Sequence, residues 1–343
     1  MTTFPTLCPD LQEIYLCPLP RDRMTIPAVS DMLLACNPNT LRCINVDYPL
    51  TEEAREVVFK LPDLHELTAV IERDTSLPLA VLPNLTRLTI ECDCDLLRMF
   101  HGATFGELEL VILDFRSEMV GNILEAFEKI ALAASIQNTL STFCLYTPHS
   151  WNPNYSSLLR FTQLTFIIIK FPCDEVCSST VDDNIIMSLA RTMPKLEVLL
   201  LGDAPCHEIP IGITVKGLVA LAHRCANLRS LRVHFQVTSL TALPTVTSSA
   251  RSTAPRSDCA LTDFDAGEIP MPGESMLVVA LTLALIFPHI NSITYTDMNW
   301  RDVLYAIRLS REIVDYSSKE HTFSTPWSNF SDTSPGATLA DGN

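Results

Sequence analysis

Residues 61–67 read LPDLHEL and residues 82–88 read LPNLTRL. The same shape returns as MPKLEVL at 193–199, CANLRSL at 225–231 and FPHINSI at 287–293. In each, an apolar residue or Cys closes one element and Pro often breaks it. Three residues on, a Leu or Ile opens a short apolar run. That run follows L-x-x-L-x-L, with apolar substitutes. Its early copies are Leu11-Ile14-Leu16, Leu41-Ile44-Val46, Leu64-Leu67-Ala69, Leu85-Leu88-Ile90 and Leu108-Val111-Leu113. It continues as Leu140-Phe143-Leu145, Leu164-Ile167-Ile169, Leu196-Leu199-Leu201, Leu228-Leu231-Val233, Leu261-Phe264-Ala266 and Ile290-Ile293-Tyr295. The copies begin 21 to 33 residues apart, a period that marks stacked repeat units.

Each copy predicts a short strand. Its first Leu enters the core as the chain turns into the strand, and the next two, two residues apart, share one face. Between copies the apolar spacing predicts helices at 26–36, 51–61, 122–134, 182–193, 214–224 and 275–287. Thr51 stands as an N-cap, with Glu52 and Glu53 placed to meet the positive helix end. No single unit can bury its own apolar faces, but stacked neighbours can. The predicted fold is therefore an α/β solenoid, a horseshoe with parallel strands on the concave face and helices on the convex face.

Two stretches leave the pattern. Residues 238–257 and 316–343 are rich in Ser and Thr and predict a mobile insertion and a disordered tail, giving a repeat domain over 1–315.

The whole template resembles leucine-rich-repeat proteins of the longer, helix-bearing kind, over about residues 4–314. Residues 259–307, CALTDFDAGEIPMPGESMLVVALTLALIFPHINSITYTDMNWRDVLYAI, resemble the end of fungal F-box and leucine-rich-repeat proteins. There a strand, an Asp/Gly-Pro linker, an apolar helix ending in IFP, a strand and a Trp-led helix follow one another. The family's Asn or Cys three residues past the last strand Leu is absent, the places holding residues such as Pro49, Glu72, Arg116 and Gln236. No F-box is visible ahead of the repeats. The resemblance implies the substrate-recognition part of an F-box-type ubiquitin-ligase receptor. A Skp-type adaptor and a cullin would be reached through a helical module absent here. The alternative is a stand-alone binding or inhibitor protein unrelated to ubiquitin.

Composition narrows the function. The net charge is −16, with 24 Lys plus Arg against 40 Asp plus Glu, which disfavours nucleic acid and anionic membranes. No secretory signal is visible, and the longest apolar run, Met276–Phe287, is too short to span a bilayer. The expected setting is intracellular, cytoplasmic or nuclear. The 12 Cys are scattered singly, as at Cys36, Cys43, Cys144 and Cys225, and read as reduced core thiols. Metal-ligand spacings, phosphate loops and nucleophile motifs are missing, so the chain reads as a non-enzyme without cofactor or metal.

What remains is surface. Counting the first Leu of each copy as n, positions n+2 and n+4 should point out of the concave face. In the middle copies these are apolar: Leu110, Ile112, Phe166, Ile168, Val198 and Leu200. Arg232, Asp263 and Asp265 follow toward the C-terminal end. An apolar row with a charged flank predicts a protein partner with a basic or mixed rim.

Overall fold

The computed structural model describes residues 8–16, 25–72, 81–92, 103–116, 124–125, 127–128, 136–147, 154–171, 181–202, 212–241, 258–267, 269, 271–295 and 297–322. Its strands, in chain order, are β1 (Glu13–Leu16), β2 (Cys43–Pro49), β3 (Glu66–Ile71), β4 (Val81–Leu82), β5 (Arg87–Cys92) and β6 (Thr104–Phe105). Then follow β7 (Leu110–Phe115), β8 (Thr142–Tyr146), β9 (Phe166–Lys170), β10 (Val198–Leu201), β11 (Ser230–Arg232), β12 (Asp263–Gly267) and β13 (Ser292–Tyr295). Eleven of them form one parallel sheet in the order of the chain, and β4 pairs with β6 in a separate two-stranded sheet. The chain is thus a mixed α/β protein built on a large parallel sheet. Each of the eleven L-x-x-L-x-L copies enters one of its strands.

The register is uniform through the middle of the sheet. Leu88, Val111, Phe143, Ile167, Leu199 and Leu231 stand side by side on successive strands, and all are buried. The next inward row, Ile90, Leu113, Leu145, Ile169 and Leu201, is buried as well. Both rows pack with helix residues such as Leu33, Ala54, Leu189, Leu221 and Leu283 in one continuous apolar core. The first Leu of each copy, Leu41 through Leu261 and then Ile290, closes that core at the strand entry.

Strand entry has its own hydrogen-bond device. At all ten steps between neighbouring strands, the carbonyl at n+1 accepts two N–H groups, from n+1 and n+2 of the following copy, at 2.7–3.1 Å. Thus Ser141 O takes the N–H groups of Thr165 and Phe166, and Thr165 O takes those of Glu197 and Val198. Hydroxyls add to the lane: Thr86 Oγ1 donates to His65 O and Thr165 Oγ1 to Ser141 O. Here neighbouring units are tied at the entry by backbone, which needs no particular side chain.

The helices are α1 (Thr25–Ala35), α2 (Glu52–Val58), α3 (Asp183–Thr192), α4 (Val215–Arg224), α5 (Val237–Thr241), α6 (Met276–Ile286) and α7 (Asn299–Thr322). Three N-caps are side-chain oxygens. Thr51 accepts from Ala54 N–H at 3.4 Å, Asp182 from Ile185 N–H at 2.8 Å, and Thr214 from Lys216 N–H at 3.1 Å. Of the helix predicted at 122–134, residues 124, 125, 127 and 128 are helical and the rest lie outside the described residues.

After β3 and after β5, where successive copies begin only 21 and 23 residues apart, the return carries β4 and β6. There two extended segments pair in parallel, Val81 with Thr104 and Leu82 with Phe105. They stack closely: a Cβ on Gly106 would lie 1.7 Å from Pro83 O, so only glycine fits. Before β9 the described part of the return holds a 3₁₀ turn, Tyr155–Arg160.

At the C-terminal end Trp300 is wholly buried, with Nε1 donating to Ile269 O at 2.7 Å and its ring beside Phe235 and Phe264. Helix α7 runs to Thr322, past the boundary expected at 315, so the start of the predicted tail is helical. The predicted insertion opens as α5, and its residues 242–257 lie outside the described residues, as do 323–343.

Candidate partner-binding face

Side chains at n+2 and n+4 point to the sheet face opposite the helix-packed core. Leu110, Thr142, Phe166, Val198, Ser230 and Asp263 are neighbours in the first row. Ile112, Cys144, Ile168, Leu200, Arg232 and Asp265 are neighbours in the second. All nine predicted site residues therefore lie in two adjacent rows. The apolar six belong to β7, β9 and β10, with Thr142 and Cys144 of β8 between them. Four strands at about 4.8 Å spacing make the tract roughly 14 Å wide between outer backbones.

The six apolar residues are half-buried rather than fully exposed. Neighbouring side chains at strand spacing shade one another, so only their tips meet solvent. Cys144 is buried between Ile112 and Ile168, and burial pushes its thiol up to about 11. It is an inert filler of the tract at neutral pH.

Charge collects at both flanks. On the C-terminal side, Arg232 reaches Asp265 Oδ2 through Nε at 2.6 Å and also through Nη2. Asp263 accepts from Ser292 Oγ at 2.5 Å and Thr262 Oγ1 at 2.8 Å. On the N-terminal side Arg87 lies 3.8 Å from Glu66. Farther out, Cys43 Sγ contacts Tyr15 Oη at 3.2 Å, and that bond helps push the exposed tyrosine up to about 12.

A third outward row, at n+6, escaped the sequence reading. Glu91, Asp114, Tyr146 and Lys170 are neighbours on β5, β7, β8 and β9. Glu91 pairs with Arg116, and Lys170 Nζ sits 5.6 Å from the centre of the Tyr146 ring. Asp114 is half-buried and has no cation partner among the described residues. Burial pushes its carboxyl above the usual range. The template L-x-x-L-x-L ends at n+5, one position short of this row. The alternation apolar, x, apolar, Asp114, Phe115 in LVILDF carried the signal. His234 occupies n+6 on the next unit but one, past β11. Burial, with Arg232 adding repulsion, brings its imidazole down to about 4.

A second apolar surface lies elsewhere. Helix α6 is apolar all round, and Leu277, Val278, Leu281 and Leu285 are exposed. Among the described residues no group of three His, Cys, Asp or Glu side chains could hold a metal ion. No described helix is long and apolar enough to cross a membrane. The described cysteines are free thiols, and all but Cys8 are buried. The chain matches no protein-family model, and no curated protein matches it.

Proposed function

We propose that the chain is a leucine-rich-repeat solenoid that binds a protein partner through the open face of its sheet, which would be the concave side. Strand order that follows the chain, with the same entry hydrogen bond at every step, supports the repeat reading. The observation that carries the function is the half-buried apolar tract on β7–β10, with no described element packed over it, between charged flanks. By its resemblance, the chain is the substrate-recognition part of an F-box-type ubiquitin-ligase receptor and does no chemistry itself.

The test is affinity purification of the chain from a lysate of its source, with quantitative mass spectrometry, beside an Ile168→Glu variant. A partner lost in the variant supports the binding face, and partners unchanged by it refute that face. Co-recovery of a Skp-type adaptor and a cullin supports the ligase reading. Stable partners without them leave a stand-alone scaffold.

A further inference from the structure

The partner's chemistry can be taken further, resting on the protein-binding reading above. We infer that the face receives a segment carrying an apolar run beside a basic residue, Arg or Lys, whose cation lands on Asp114. The argument is charge complementarity at one corner of the tract. Asp114 shares β7 with Leu110 and Ile112 and points to the same side, four and two residues further along the strand. It is half-buried, so its charge is partly stripped of water, a cost normally offset by a cation.

The described basic groups nearby are already engaged. Arg116, two residues on, pairs with Glu91 on the neighbouring strand. Lys170 lies two strands away in the same row, against Tyr146. Tyr146, next to Asp114, offers a ring face on which a guanidinium can stack. Arg suits the corner better than Lys, because a guanidinium gives up hydration more readily. An apolar run of the partner then covers Ile112, Phe166, Ile168 and Leu200, about 14 Å across, which an α-helix or an extended segment can span.

The experiment pans random phage-displayed peptides on the full chain and measures selected peptides by fluorescence anisotropy. Binding is compared among the wild type, Asp114→Asn and Ile168→Glu, at low and high salt. The expected result is enrichment of Arg or Lys beside apolar residues, with roughly tenfold weaker binding to Asp114→Asn. Replacing the peptide's basic residue by Gln should cost the wild type the same factor and cost Asp114→Asn nothing further. The wild-type half of that arm needs no variant protein. Peptides that lose binding to Ile168→Glu but bind Asp114→Asn equally well would overturn the cation contact and leave the face intact. Peptides indifferent to both changes, or no enrichment at all, would overturn the face as well. Removal of a half-buried charge that no described cation pairs should leave the melting temperature of Asp114→Asn at or above that of the wild type.

Discussion

The carboxylate of Asp183 accepts the N–H of Gly217 at 3.1 Å, across the gap between two successive helices. The same group takes the Thr214 N–H at 2.8 Å and the Thr214 hydroxyl at 2.6 Å. A residue in the first turn of α3 thus satisfies the open N-terminus of α4. Asp183→Ala removes all three bonds and should lower stability by about 1–3 kcal/mol in urea unfolding. No loss would mean that water replaces the carboxylate.

Gly217→Ala tests the closeness of that contact. Helix propensity alone favours Ala over Gly by about 1 kcal/mol. Here a Cβ would lie 2.7 Å from Asp183 Oδ1 and 3.2 Å from Ile213 Cγ2. The substitution should therefore destabilise by roughly 1–3 kcal/mol, against the propensity scale. A variant that melts higher than the wild type would refute the packing described.

The Arg232–Asp265 pair ties β11 to β12 in a half-buried setting. Asp265→Ala leaves the guanidinium of Arg232 short of its carboxylate and close to His234. A loss of about 1–3 kcal/mol is expected, more than a solvated surface pair contributes. Denaturant midpoints in low and high salt measure it, and a loss that vanishes in high salt would place the pair in solvent.

His234 is neutral in the fold, because burial and Arg232 hold its pKa near 4. Unfolded, it takes up a proton near 6.5. Between those values the unfolded chain binds more protons, so stability falls as pH drops from about 6.5 toward 4. His234→Gln removes this contribution. The difference in unfolding free energy between wild type and variant should change by up to about 1.4 kcal/mol per pH unit across that window, and level off above pH 7. A flat difference would show that the ring is solvated.

Helix α6 offers a paired control. Leu283 is fully buried and Leu285 is 62% exposed, two residues apart in the same apolar run. Leu283→Ala should cost about 2–5 kcal/mol and Leu285→Ala less than about 0.5 kcal/mol. Equal costs in chemical unfolding would show that something covers the outer side of α6 in solution.

The spacing of Leu, Ile and Val revealed the strands because every copy must put the same three positions into one core, and burial tolerates few substitutes. The helix starts at Thr51, Asp182 and Thr214 were legible for a related reason: a short polar side chain before an apolar period has a specific bonding role. The returns through β4 and β6 were not, because two-residue strands carry too little pattern to read. Asp114 was missed because the template counts apolar residues, and the row beyond it is polar. Its half-burial depends on neighbours from other strands, which one strand's sequence does not display.

The order of the sheet also decides how it yields to force. Within the eleven-stranded sheet, each strand is bonded only to its predecessor and successor along the chain. Tension on the two ends therefore loads the outermost strands first and leaves the inner ones shielded. The sheet should peel one unit at a time. Each release frees one period of 21 to 33 residues, or roughly 70–115 Å of extended chain. A molecule built this way can lose an end and keep its middle, where the apolar tract lies.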